Sequence, residues 1–237
     1  MESLAMAATG TPPGARRHLR SLTADVERHA LVWMAHRLPR VVTPDHLTIL
    51  GLAAALGIGV AFAFTPSWAG APLVVVPLLF LNWLGDSLDG TLARVRRQQR
   101  PRYGFYVDHV VDIAGMAAIG AGLAASGLMS PVLGVAIALA YVLLAAESFL
   151  AAQTVGTFRM SFGPFGPTEL RIVLAAGAVK AAFSPWIVLG GLDFRLFDVG
   201  GTVAVAGMIA VFVATSLGNT RALFRAEPLP ASGSERD

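Results

Sequence analysis

The chain has 237 residues, 55% of them apolar and only 14% charged, against roughly 25% charged in soluble globular chains. A soluble fold of this size needs a charged skin, yet no Asp, Glu, Lys or Arg occurs at residues 47–85 or 113–146. Each stretch is too long for one buried helix and fits two membrane helices, so a soluble domain is excluded in favour of an all-α integral membrane protein.

Residues 1–20 read as a disordered tail without a signal peptide. In "SLTADVERHALVWMAHRL" (residues 21–38), Leu22, Val26, Ala30, Trp33, Met34 and Leu38 share one helical face. Asp25, Glu27, Arg28, His29 and Arg37 lie mostly off it. This pattern predicts an amphipathic juxtamembrane helix on the membrane surface, ended by Pro39. Six spans are expected next, at about 47–66, 71–94, 104–127, 131–153, 168–189 and 199–219. The membrane domain then covers residues 21–220, and 221–237 read as a C-terminal tail.

With the N-terminus in the cytoplasm, every Lys and Arg except Arg195 and Lys180 falls on the cytoplasmic side. The positive-inside rule is satisfied, and an even number of spans keeps the C-terminal arginines inside. The net charge of +3 has this topological explanation, so no nucleic-acid partner is needed. Without cysteine there is no disulfide and no Cys-ligated metal.

The stretch "GDSLDGTLARVRRQQRPRYGFYVDHVVD" joins the second and third spans. Asp86 and Asp89 are three apart and share one helix face; Asp108 and Asp112 are four apart and share another. Antiparallel helices bring the two pairs together. Four converging carboxylates repel, and a divalent ion with hard oxygen ligands (Mg2+, Mn2+ or Ca2+) resolves the conflict. Gly90 and Gly104 let a bulky ligand approach the backbone. Arg94, one turn from Gly90, suits a phosphate. Together they point to a diphosphate substrate at the cytoplasmic membrane face.

The run Asp86-x-x-Asp89-Gly90-x-x-Ala93-Arg94, nine residues, then Gly104-x-x-x-Asp108-x-x-x-Asp112 resembles the signature of the CDP-alcohol phosphotransferases (phosphatidyltransferases). The resemblance implies an enzyme that transfers a substituted phosphate from a CDP-alcohol to an alcohol hydroxyl and releases CMP in phospholipid synthesis. It implies two divalent cations, Mg2+ or Mn2+, on Asp86, Asp89, Asp108 and Asp112, with Asp112 also the general base. Gly90, Ala93, Gly104 and Arg94 would receive the CDP moiety, and Arg159 and Arg171 a phosphate or the acceptor. A homodimer among membrane lipids, in a bacterial inner membrane with active site and both termini cytoplasmic, completes the expectation.

The donor expected is CDP-diacylglycerol. "GPTE" at residues 166–169 resembles the aminoalcohol branch of the family, so CDP-choline or CDP-ethanolamine with diacylglycerol is the alternative. A small cation transporter using the acids, or an inactive lipid-binding homologue, is weaker: the first has no need of the glycines, the second none of the four acids. Pro44-Asp45-x-x-Thr48 resembles the family's Pro-Asn-x-x-Thr opening, with Asp45 as a helix cap. Thr168 is expected to cap the fifth span, with Glu169 in its first turn. Glu147 is expected to bind the acceptor or pair with an arginine. Lys180 is expected to face the interior or snorkel, and His46 and His109 to pack or form hydrogen bonds.

Overall fold

A computed structural model describes residues 24–155 and 167–228. Seven helices occur among these residues: α1 (Ala24–Arg37), α2 (Pro44–Ala63), α3 (Ala71–Val95), α4 (Pro101–Ala125), α5 (Pro131–Thr154), α6 (Pro167–Phe183) and α7 (Leu196–Ala226). Prolines at the first turns of α2, α3, α4 and α5 cost no backbone bond, since those amides lack helical partners. Five helices are long and apolar enough to cross a membrane: α2, α3, α4, α5 and α7. The protein is thus an integral membrane protein built almost wholly from helices.

Contacts close a ring in the order α2, α3, α6, α7, α5, α4, while α1 lies against α3. The main core fills one end of this ring, where Ile58, Phe62, Val75, Leu79, Met129, Ala178 and Phe197 are buried together. The Phe62 and Phe197 rings meet edge to face at 5.7 Å. At the opposite end a smaller core, Leu31, Ala35, Leu47, Leu88 and Leu92, seats α1 on α2 and α3. Arg96 fastens the α1–α2 connection by donating to the carbonyls of Leu38, Pro39 and Val42.

Small residues set the helix spacing. A Cβ at Gly85 would lie 2.5 Å from the Gly51 nitrogen and the Leu47 carbonyl, and one at Gly122 would lie 2.1 Å from the Gly59 carbonyl. Backbone therefore touches backbone between α2 and α3 and between α2 and α4. Gly122→Ala is expected to lower stability by about 1–3 kcal/mol through overpacking. Thermal unfolding in detergent checks this, and an unchanged midpoint would mean that the two helices separate freely.

Three expectations need correction. The fifth span stops at Phe183 instead of reaching 189, because Trp186–Leu189 and Leu192–Arg195 pair as an antiparallel hairpin, β1 and β2. Gly190 and Gly191 make its turn with φ of 59° and 82°, a conformation glycine adopts without strain. The last helix is longer than 199–219, running from Leu196 to Ala226 into the expected tail. The face of α1 is rotated: Leu31 and Ala35 are buried, Ala30 and Trp33 are exposed, and Glu27 points inward. A helix on a bundle's flank has two apolar sides, and the stripe through Trp33 is the outer one, with Arg37 stacked 3.9 Å from the Trp33 ring centroid.

Candidate active site

The site forms where the C-terminal half of α3 meets the N-terminal half of α4, at the end of the ring away from the main core. Tight packing at Gly85 fixes α3 against the start of α2 just before the first acid. One turn along, the Thr48 hydroxyl on α2 donates to Asp89 Oδ2 at 2.6 Å, and the Gly90 amide donates to Asp89 Oδ1.

Asp86, Asp108 and Asp112 form the acidic centre, each with a carboxylate oxygen within 4.8 Å of the others'. Two oxygens on opposite sides of Mg2+ lie about 4.2 Å apart, so a small closing movement fits these three around one ion. Their all-oxygen chemistry suits Mg2+ or Mn2+. Asp89 stands beside this group rather than in it, held by Thr48 and Gly90. The sequence-predicted pairs therefore come together as three plus one.

One cation enters the acidic centre from α6. Arg171 Nη2 donates to Asp86 Oδ2 at 2.5 Å, and its Nε donates to Asn82 Oδ1 at 2.9 Å. Asn82 in turn donates to the Gly51 carbonyl at 2.9 Å. The Arg171 side chain is only 17% exposed, so it belongs to the site and not to a solvated surface. Arg159 lies outside the described residues.

The motif glycines are not packing glycines. Among the described residues, a Cβ at Gly104 would meet nothing within 4 Å, and one at Gly90 would meet only the Arg94 Nη1 at 3.4 Å. The protein's own packing leaves room at both positions, in contrast to Gly85 and Gly122. Arg94 is exposed and donates to Thr91 Oγ1 at 2.9 Å, so its guanidinium lies beside the open Gly90.

A family model described as CDP-alcohol phosphatidyltransferase matches residues 41–216, which include every residue of the acidic motif. The chain belongs to the CDP-alcohol phosphatidyltransferase family. It is accordingly a transferase of phospholipid biosynthesis. Among solved structures it is similar to a phosphatidylinositol phosphate synthase of Mycobacterium tuberculosis, solved with CDP-DAG bound. That likeness has a TM-score of 0.53 and 21% identity, over 88% of this chain and 99% of that one, and shows a shared fold. No curated protein matches the chain in sequence.

Several residues of this phosphatidyltransferase do otherwise than their sequence context suggests. The cap of α2 is Thr43, not Asp45, because the helix begins at Pro44. Thr43 Oγ1 accepts from the His46 amide and His46 Nδ1 accepts from the Thr43 amide, a reciprocal capping box. Asp45 instead pairs with Arg100. The Thr168 hydroxyl goes to Glu27. Glu147 accepts from Asn219 Nδ2 at 2.7 Å, tying α5 to α7. Lys180 is exposed and donates to the Ser184 and Trp186 carbonyls beyond the end of α6. His109 packs as expected, between the Phe105 and Phe149 rings.

Sequence reasoning passed over Asn82 and set Glu27 only among the polar residues off the apolar face of α1. For Asn82 a signal existed: a lone amide in a charge-free span, four residues before Asp86 and on its face.

Proposed function

We propose that this phosphatidyltransferase uses a CDP-alcohol, with CDP-diacylglycerol the favoured donor, and depends on Mg2+ or Mn2+. The observation that carries the reading is the meeting of Asp86, Asp108 and Asp112 beside two glycines that no described backbone packs against, Gly90 facing only the Arg94 guanidinium. The CDP-DAG seen in the structurally similar synthase supports the choice of donor.

In this reading Asp86, Asp108 and Asp112, completed by Asp89, hold two divalent cations. When bound, these ions offset charge on the diphosphate and on the departing CMP. Gly90, Ala93 and Gly104 admit the CDP moiety and Arg94 steadies it. Asp112 takes the proton of the acceptor hydroxyl. The acceptor oxygen bonds to the phosphorus being transferred, and the phosphoanhydride bond to CMP breaks. Arg171, with Arg159, serves the acceptor or its phosphate, while holding Asp86 in place. The acceptor is a small polar alcohol.

The helices α2 to α7 make six spans in this reading, α6 joining the five long helices because it lies in the ring between α3 and α7. The arginines at 94, 96, 97, 100 and 102 favour a cytoplasmic site end, and the membrane is proposed to be a bacterial inner membrane. Thus α1 lies on the cytoplasmic surface and both termini are inside. A reporter fused after Asp237 is expected to read cytoplasmic; an external reading would rule out six spans. The protein is proposed to work as a homodimer among membrane lipids.

CMP release by the purified protein with Mg2+ or Mn2+ tests the reading, with CDP-diacylglycerol and a panel of small alcohols. CDP-choline and CDP-ethanolamine with diacylglycerol form the second arm. Release in that arm alone would transfer the assignment to an aminoalcohol donor, and silence in both would overturn it.

Gly104→Ala separates a ligand-facing glycine from a packing one. Its added methyl meets no described residue within 4 Å, so the folded state is expected to be as stable as wild type or more so by about 0.5–1 kcal/mol. The KM for the CDP-alcohol is nonetheless expected to rise about tenfold. An unchanged KM would remove Gly104 from the nucleotide site.

A further inference from the structure

A second polar junction lies one residue around α3 from the acidic centre. Glu27 of α1 accepts from three donors: Trp83 Nε1 at 2.8 Å, Ser87 Oγ at 3.3 Å and Thr168 Oγ1 at 3.1–3.2 Å. Trp83 and Ser87 are four apart on α3, and Thr168 is in the first turn of α6. The neighbouring pair on α3, Asn82 and Asp86, also four apart, receives Arg171, one turn after Thr168 on α6. Hence α6 meets α3 through two adjacent rungs. One is Thr168 to Glu27 to Trp83 and Ser87; the other is Arg171 to Asn82 and Asp86.

A carboxylate directed between helices costs free energy unless its oxygens are satisfied. Here Glu27 Oε1 receives all three donors and Oε2 shares the Thr168 hydroxyl. Glu27 also precedes the residues that the family model matches, 41–216, so the junction joins an element outside the matched region to the site. Nothing in the transfer chemistry requires it.

We propose that Glu27 is a positioning residue. By holding the first turn of α6 against α3, it sets the Arg171 guanidinium on Asp86 and Asn82, the position from which Arg171 acts in turnover. The surface helix is thereby part of the catalytic architecture, acting through Arg171. This inference rests on the phosphatidyltransferase reading for its kinetic consequence but not for the clamp itself.

The test uses the full-length protein with Glu27→Ala, Glu27→Gln, Thr168→Val and Arg171→Ala, and the Glu27→Ala/Arg171→Ala pair. Hydrogen exchange of peptides covering residues 167–175 reads the clamp without turnover. Exchange is expected to quicken in Glu27→Ala and Thr168→Val and to stay near wild type in Glu27→Gln, which keeps the oxygen that accepts from all three donors. In CMP release, kcat is expected to fall about tenfold in Glu27→Ala, with the CDP-alcohol KM within about twofold and glutamine restoring most of the loss. The double variant is expected to be no slower than Arg171→Ala alone.

Unchanged exchange at α6 in both Glu27→Ala and Thr168→Val would overturn the proposal. So would losses that multiply in the double variant, or alanine and glutamine failing alike. If Glu27→Ala does not fold, Thr168→Val decides by the same exchange and by its own cycle with Arg171→Ala. A wild-type protein that releases no CMP would count against the functional reading alone, since the exchange result stands without turnover.

Discussion

Replacing Asp112 with asparagine is expected to slow CMP release by about 10²–10⁴-fold, the usual contribution of a positioned general base. Asparagine keeps the shape of the side chain and one carbonyl oxygen, but its amide does not take a proton at neutral pH. Asp112 sits one turn after Asp108 on α4, within the group whose oxygens lie within 4.8 Å of each other. Binding of the CDP-alcohol, followed by equilibrium dialysis with Mn2+ present, is expected to weaken far less than turnover. A rate within about tenfold of wild type would place the base elsewhere. An equal loss of binding and rate would make Asp112 a metal ligand only. Asp45→Asn is the matched control: the same chemical change at an exposed carboxylate that pairs with Arg100, expected to leave the rate unchanged.

The helical membrane fold was legible because its signal is a matter of length. Two charge-free stretches, each twice the length of a membrane crossing, have no other comfortable fold. The ends were less legible. Apolar composition cannot tell a helix from a strand over four residues, and "WIVLGGLDFR" carries its hairpin signal only in Gly190 and Gly191. The inward face of α1 was misjudged for a related reason. Lipid and bundle both attract apolar side chains, so periodicity marks two apolar sides without saying which is inside. The inward position of Glu27 depends on three donors from α3 and α6, at separations of 56 to 141 residues. No local pattern contains them.

The acidic centre was legible because its ligands come from consecutive helices at fixed spacing. Asp86 and Asp89 on α3 and Asp108 and Asp112 on α4 are each confined to one face. Arg171 was harder, since α6 reaches the site only through the ring order of the bundle. Basic character near a span end suggested a phosphate, whereas the geometry adds a direct bond to Asp86. That bond separates two roles that spacing alone merges, and mutation distinguishes them.

Asp86→Asn is expected to lower turnover by about 10²–10⁴-fold, since lost cation stabilisation is worth several kcal/mol. It is expected to weaken Mn2+ binding as well. The change removes a charge from the three-carboxylate group and leaves Arg171 with only its Asn82 contact at full strength. The pair is partly buried, with Asp86 28% and Arg171 17% exposed, so losing one partner also costs about 1–3 kcal/mol of stability. Arg171→Ala makes the informative contrast. It removes the competing cation and returns Asp86 to the other acids, so Mn2+ binding is expected to hold or tighten while turnover falls. Titration with Mn2+, read by calorimetry on the purified protein, separates the two variants. If both weaken Mn2+ alike, Arg171 supports the ligand geometry instead of competing for its charge. If neither does, Asp86 is not a ligand, and the acidic centre reduces to Asp108 and Asp112 with Asp89.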